Sequence, residues 1–184
     1  MCMTLVFSNP REAVLQLGLK EGMRIADLGC GTGHYAAAAA GAVGESGRVY
    51  AVDVRGDVLE HAKRVQGVMH PQHRRGVIEP VWGDIERVAG TGLRDSAVDA
   101  VIVANVLFQI DRRDALVAEI RRIVKPGGKM LLVDWAGSYG GMGPAPSQVV
   151  PEHEAEALCI GAGFHKVKSF RAGPHHYGIV CTVS

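Results

Sequence analysis

Three short segments of this sequence carry residue types suited to holding a nucleoside. The first is Ile25-Ala26-Asp27-Leu28-Gly29-Cys30-Gly31-Thr32-Gly33-His34-Tyr35. Gly29 and Gly31 reach backbone angles that side chains resist, and they let a ligand touch the main chain. Gly33 allows a helix to pack closely on the preceding strand. The second is Val49-Tyr50-Ala51-Val52-Asp53, whose acid stands twenty residues beyond Gly33. A carboxylate there can accept hydrogen bonds from both ribose hydroxyls. The third is Trp82-Gly83-Asp84-Ile85. Asp84 can accept from the exocyclic amine of adenine, and the Ile85 amide can donate to a ring nitrogen. Each segment alone has a plainer reading: a structural glycine turn, a capping or solvated Asp53, an ordinary Gly-Asp turn. Their order along the chain carries the weight. Nicotinamide-binding folds carry a related GxGxxG pattern. Here the spacing is GxGxG, and Asp27 stands two residues before the first glycine, where those folds usually have an apolar residue.

The elements that must position these residues are legible as alternating apolar runs and amphipathic segments. Asn9 caps a first helix, with Pro10 at its first position, Glu12 reaching back, and Val14, Leu15 and Leu17 as its apolar face. Strands are expected at Arg24–Leu28, Arg48–Asp53, Val77–Trp82, Val98–Ala104 and Lys129–Asp134. A small-residue helix runs from about Gly33 to Val43. Asp57 caps another, with Leu59, Ala62 and Val65 on one face. In the next, Leu116, Val117, Ile120, Ile123 and Val124 share one face, and Asp114, Glu119, Arg121 and Arg122 the other. Lys125-Pro126-Gly127-Gly128 stops that helix. A Gly/Pro-rich stretch, Ala136–Val149, precedes a last helix at Pro151–Ile160. Phe164–Phe170 and Tyr177–Val183 form a closing hairpin. Strands apolar throughout are buried on both faces. The alternation predicts a doubly wound α/β fold, with a mostly parallel sheet and an antiparallel strand at or near one edge.

The 184 residues suit one domain, 1–184, with 1–22 as an N-terminal helical cap. A net charge of +1 supplies no basic field for nucleic acid, so a nucleic-acid partner is not expected. Basic pairs at Lys63-Arg64, Arg74-Arg75, Arg112-Arg113 and Arg121-Arg122 read as solvated faces. The four cysteines, Cys2, Cys30, Cys159 and Cys181, form no CxxC pair. A reduced, cytoplasmic chain is expected. The N-terminus lacks signal-peptide character, and no apolar run is long enough for a bilayer. The eight histidines, including His70, His73, His175 and His176, show no metal-ligand spacing, so no metal site is read.

Asp27-Leu28-Gly29-Cys30-Gly31-Thr32-Gly33 resembles motif I of the class I S-adenosylmethionine (SAM)-dependent methyltransferases. Asp53 matches the family's acid after strand two, and Gly83-Asp84-Ile85 its adenine-side motif. Ala104-Asn105-Val106-Leu107 resembles the segment after strand four. Lys125-Pro126-Gly127-Gly128 resembles the LKPGG turn. The likeness covers roughly Pro10 to Phe164 and is strongest to the compact Methyltransf-11/UbiE-like group. It implies a seven-stranded sheet with one antiparallel strand, helices on both faces, and SAM as cofactor with S-adenosylhomocysteine (SAH) as product. It assigns methionine-side contacts to Asp27 and the loop Gly29, Cys30, Gly31, Thr32 and Gly33. Asp53 takes the ribose side, Asp84 and Ile85 the adenine, and Val54 and Asn105 complete the cofactor-binding set. Departures narrow the chemistry. Asn105 is not followed by Pro-Pro-Tyr, as in enzymes methylating planar amino nitrogens. There is no Pro-Cys nucleophile pair of the kind that attacks cytosine, and the cysteines are too scattered for arsenite.

The sulfonium of SAM makes the leaving group good without help, so positioning and water exclusion suffice, and no catalytic residue is assigned. Candidate acceptor-side residues are Phe108 and Gln109 after strand four, and Asp134 and Trp135 after strand five. Asp134 reads either as an acceptor-orienting acid or as a strand-end acid bonded to local amides. The Ala136–Val149 loop reads as a lid or a disordered connector. Met3–Phe7 could close over the site. Tyr35 reads as a methionine-side contact or as packing, and His34 as a pocket residue. The expected reaction is methyl transfer to a small molecule. Other readings are an RNA or protein methyltransferase using Lys63–Arg75, a SAM-binding regulator without turnover, and an NAD-dependent oxidoreductase.

Overall fold

The computed structural model describes residues 8–61 and 76–183. Among the described residues the named elements are α1 (Pro10–Leu15), β1 (Arg24–Leu28), α2 (His34–Val43), β2 (Arg48–Asp53), β3 (Val77–Trp82), β4 (Val98–Ala104), α3 (Arg113–Ile123), β5 (Val124–Trp135), α4 (Glu152–Gly161), β6 (Phe164–Arg171) and β7 (His176–Val183). The strands form one sheet in the order β3-β2-β1-β4-β5-β7-β6. β1 to β5 pair in parallel, while β7 runs antiparallel to both β5 and β6. The antiparallel strand is therefore one place in from the edge. The carboxyl ends of β1 to β5 and the start of β7 share one rim of the sheet.

Successive side chains of a strand point to opposite faces. In β1, Ile25 turns to the face covered by α1 and α2, where Val14, Leu17, Ala36, Ala40 and Val43 are buried. Ala26 and Leu28 turn to the other face, against Leu116, Ile120 and Ile123 of α3 and Ala155 and Cys159 of α4. Both faces are thus covered, as continuous apolar strands require. The small side chains of Ala36, Ala39 and Ala40 let α2 lie close on the sheet.

Several expectations are corrected. Asn9 does cap α1, its side chain accepting from the Glu12 amide at 3.3 Å, but Leu15 is 66% exposed. The buried face is Ala13, Val14 and Leu17, because α1 ends at Leu15 and the chain turns. Residues 56–61 are helical, so Asp57 lies inside the first turn and is not its cap. Ala62, Val65, the Lys63–Arg75 segment with His70 and His73, and Met3–Phe7 lie outside the described residues.

Lys125-Pro126-Gly127-Gly128 is not a stop between helix and strand. It is a bulge inside β5, which begins at Val124 directly after α3. Pairing passes from Val98–Val124 to Ala100–Lys129, so β5 advances five residues while β4 advances two. The 136–149 stretch is ordered, with a Tyr139–Met142 bridge and a 3-10 turn at Pro146–Gln148. Glu119, expected on the solvent side of α3, is wholly buried, because the 83–97 loop covers that side of the helix. Among the described residues no helix is long and apolar enough to cross a membrane.

Candidate cofactor site

The glycine loop follows β1 without a break. Gly29, Gly31 and Gly33 have φ of +71°, +48° and +79°, in the left-handed region. A side chain at Gly29 would also collide with Val106, whose Cγ2 lies 2.7 Å from the site of a Cβ. The amides of Gly29 and Cys30 both donate to the Val52 carbonyl, at 2.9 and 3.0 Å, strapping the loop to the end of β2. The Gly31 amide donates to Asp53 Oδ2 at 3.1 Å, and the Arg55 amide to Asp53 Oδ1 at 3.0 Å. Each carboxylate oxygen of Asp53 keeps capacity for another donor.

Beneath the loop lies Asp27, 1% exposed. Its Oδ2 is buried with no hydrogen-bond partner among the described residues. Burial raises its pKa to about 7, with the Ala36 amide opposing and the nearby Asp53 adding to the rise. Burial also lifts the Cys30 thiol well above its ordinary range, which removes any case for a reactive thiolate.

A cavity of about 290 Å³ opens beside the loop. Gly29 and Gly31 line it from the loop. Asp53, Val54 and Arg55 come from the end of β2, and Gly83, Asp84, Ile85 and Glu86 from the end of β3. Val106, Gln109 and Ile110 come from beyond β4. Asp84 is held in place through its own side chain, whose Oδ1 accepts from the Glu86 amide at 2.9 Å. Trp82, 69% exposed, donates from Nε1 to the Val54 carbonyl at 2.9 Å and so braces that rim.

The structure therefore brings Gly29, Gly31, Asp53, Val54, Asp84, Ile85 and Gln109 together around one space. Cys30, Thr32 and Gly33 belong to the loop, and Asp27 to the end of β1, but none of the four lines the cavity. Thr32 Oγ1 lies 2.7 Å from His34 Nδ1 on the exposed side. Asn105 has φ +60°, and its amide donates to the Val133 carbonyl at 2.8 Å. Its side-chain oxygen is buried without a partner among the described residues. Its neighbour Val106 is the residue that reaches the cavity. Phe108 is half-buried in a 3-10 turn, Leu107–Gln109, outside the lining.

Asp134 and Trp135 lie farther along the same rim. Asp134 is buried and binds two amides, Leu107 at 2.8 Å through Oδ2 and Trp135 at 2.8 Å through Oδ1. It is thus the strand-end acid of the plainer reading, tying the end of β5 to the turn after β4. Burial raises its pKa to about 6 against the pull of those amides. Trp135 stacks near His176, with ring centres 4.3 Å apart, and Gly143 of the 136–149 loop lies against its ring. Tyr139 faces His175 at 4.1 Å. The Tyr35 hydroxyl donates to Ser8 Oγ at 3.2 Å.

Arg55, Glu86, Val106 and Ile110 were not among the expected site residues. Of these, Val106 had a signal in the sequence, as a member of the Ala104–Leu107 segment after strand four. The donor set fits a nucleoside carrying a positive charge: carboxylates at three strand ends, exposed glycine backbone, and one buried carboxylate oxygen lacking a partner. Among the described residues no three acids, histidines or cysteines cluster as metal ligands.

The chain matches the family model described as "Methyltransferase domain" over residues 26–132. It is 32% identical over 124 residues to the ubiquinone/menaquinone biosynthesis C-methyltransferase UbiE of Cupriavidus necator, a match covering 67% of this chain and 47% of that protein. It is 30% identical over 123 residues to the 2-phytyl-1,4-naphtoquinone methyltransferase of Trichormus variabilis, covering 67% and 51%. The chain spans about half the length of these curated relatives. A SAM-dependent methyltransferase from Aquifex aeolicus superposes with a TM-score of 0.83 at 25% identity, covering 98% of this chain and 92% of the other. Sheet order, glycine loop, strand-end acids and these likenesses agree, and the cofactor they indicate is SAM. The chain belongs to the class I SAM-dependent methyltransferases.

Proposed function

We propose that this protein transfers the methyl group of SAM to a small, planar organic acceptor at carbon or oxygen, and that a quinol-like ring is its best candidate. The observation that carries the cofactor half is the convergence of the glycine loop, Asp53 and Asp84–Ile85 on one cavity, with the unpartnered Asp27 oxygen beneath the same loop. The acceptor half is supported by two relatives, one named a C-methyltransferase of ubiquinone/menaquinone biosynthesis and the other a 2-phytyl-1,4-naphtoquinone methyltransferase. It is also supported by the rings of Trp135, Tyr139 and His175 beyond the turn that Asp134 fixes.

When bound, SAM supplies a methyl group already activated by its sulfonium, which an acceptor attacks in line. The residues of this chain have the remaining tasks. Asp27 Oδ2 would accept from the cationic amino group. Asp53 would accept from the ribose hydroxyls, kept oriented by its bonds from the Gly31 and Arg55 amides. Asp84 would accept from the exocyclic amine and the Ile85 amide would donate to a ring nitrogen, with Val54 lining the same cavity. Asn105, Cys30, Thr32 and Gly33 shape the loop and strand end around the methionine part. Phe108, Gln109 and Trp135 border the acceptor side, and the 136–149 loop excludes water there. Asp134 acts as a strap, since both its oxygens already hold amides. The whole chain works as one unit, with residues 1–22 as a cap. Free thiols at Cys30, Cys159 and Cys181 support a cytoplasmic setting.

The test is a calorimetric titration with SAH, SAM and NADH. Wild-type protein should bind the two sulfur nucleosides and not NADH. Gly31→Asp sets a second carboxylate beside Asp53, and Asp53→Ala removes the ribose acceptor. Each should weaken SAH binding by at least about tenfold with an unchanged far-UV spectrum. Equal affinity in both variants would remove this site. A methyl-transfer assay with reduced naphthoquinones, simple phenols and bulk RNA then sorts the acceptors.

A further inference from the structure

The buried acid on α3 has no part in the reaction just described. Glu119 Oε2 accepts from the Ala89 amide at 2.7 Å and from Arg122 Nε at 2.8 Å. Its Oε1 accepts from the Thr91 amide at 3.3 Å, the Thr91 hydroxyl, and Arg122 Nη2 at 2.7 Å. Arg122 in turn donates to Asp95 at 2.6 Å, and its carbonyl receives the Ser96 amide at 2.9 Å. Burial opposes a charge on Glu119, but Arg122 and the loop donors outweigh it and hold the acid below its ordinary range. It is a carboxylate at neutral pH, saturated by five donors.

The donors from Ala89 and Thr91 belong to the back of the cavity wall, while Arg122 is on the same helix as Glu119. The Asp84 amide donates to the Gly90 carbonyl at 3.0 Å. A Cβ at Gly90 would stand 2.1 Å from the Asp84 carbonyl oxygen, so the two backbone stretches lie against each other with no side chain between them. Asp84, Ile85 and Glu86 face the cavity, while Ala89 and Thr91 face Glu119. Ala89 adopts φ +61°, a conformation that costs a non-glycine residue free energy and that its bond to Glu119 offsets. On the cavity side, Glu86 Oε2 accepts from the amides of Asp111 and Arg112, both at 2.9 Å. Those residues lead directly into α3. The wall is thus held in a closed circuit: α3 to Glu119, to the 83–97 loop, to Glu86, and back to the start of α3.

We infer that Glu119, oriented by Arg122, is a positioning residue for the nucleoside end of the cofactor site, setting from behind where Asp84, Ile85 and Glu86 stand. The inference rests on the reading of this cavity as the SAM site. Glu119 touches no ligand, and it acts by fixing a wall whose displacement by a fraction of an ångström would misalign the adenine contacts.

Glu119→Gln keeps the shape but replaces one acceptor oxygen with a donor, which cannot face the Ala89 amide or Arg122. Calorimetric titrations with SAH and with adenosine, run well below the melting transition, should show both affinities reduced by about tenfold. Amide exchange at Ala89 and Thr91 should quicken in the same variant. Ile123→Val, a core substitution in the same helix, should lower Tm and leave both affinities unchanged. Should Glu119→Gln fail to fold, Thr91→Val removes the hydroxyl that donates to Glu119 and accepts from the Leu93 amide at 3.2 Å, leaving the Thr91 amide bond in place, and a loss of about threefold is expected for both probes. Wild-type affinity for both probes in the folded Glu119→Gln protein, or in Thr91→Val where that variant stands in, overturns the inference, leaving Glu119 a stability residue only. Wild-type protein that binds neither probe overturns the cofactor reading and this inference with it.

Discussion

Asp27 meets its ligand from an unusual starting point. Its raised pKa of about 7 means that much of the free protein carries it protonated at neutral pH. In the unfolded chain it titrates at 3.8, so between the two values the native state holds a proton that the unfolded state has released. Stability of the ligand-free protein is therefore greatest at the acid side of this window and falls as pH rises through it, levelling above about 7. Binding of a cationic amino group requires the carboxylate, and so runs the other way. SAH affinity should fall about tenfold per pH unit below the pKa of Asp27 and stay flat above it. Titrations at about pH 5.5, 6.5 and 8 read this directly. An Asp27→Asn variant should be weak and independent of pH, and a pH-independent wild type would take Asp27 out of the amino-group site. Residues such as Gly29, Asp53 and Asp84 were legible because their roles depend on local backbone form at strand ends. Glu86 and Ile110 were not, since they reach the cavity through loop contacts with no periodic signature. Glu119 was misread for a related reason: helical spacing identifies the polar face of α3, but not that a loop will cover it.

At the level of elements, the inner strands β1, β4 and β5 were the most legible feature, because burial on both faces leaves a largely apolar run, whereas β6 at the edge is mostly exposed. The Lys125–Gly128 segment shows where that reading stops. Pro126, Gly127 and Gly128 look like punctuation between helix and strand, yet they form a bulge that brings β5 back into register with β4. Gly127 has φ +74°. At Gly128 a Cβ would lie 2.5 Å from Val124 Cγ1 and 2.8 Å from the Asp99 carbonyl oxygen. Gly128→Ala should thus destabilise the fold by about 1–3 kcal/mol. It should appear as a lower denaturant midpoint with unchanged m. Because the bulge is at the amino end of the strands and the cavity at the other, SAH affinity should be kept. A loss of affinity without loss of stability would contradict that separation. The 83–97 and 136–149 loops were the least legible stretches, since tertiary contacts and not local preference hold them.

For the whole molecule, ligand and fold are linked by mass action. SAH at a hundred times its Kd adds about 2.7 kcal/mol to stability. For a chain of this length that should raise Tm by about 5–10 °C, measured by calorimetric scanning. A smaller shift at that saturation would mean that the unfolded chain or an open form also binds. The sheet also sets its two tryptophans apart on the same rim. Trp82 stands in water at the end of β3, bonded to the carbonyl of Val54 beside the cofactor cavity. Trp135 is enclosed at the end of β5. In fluorescence the first emits at longer wavelength and is open to iodide, while the second emits at shorter wavelength and is shielded from it. A nucleoside seated at Val54 perturbs only the outer emitter, whereas loss of the fold exposes the inner one. The protein thus carries two optical gauges, one for occupancy and one for integrity, readable in a single cuvette without a label.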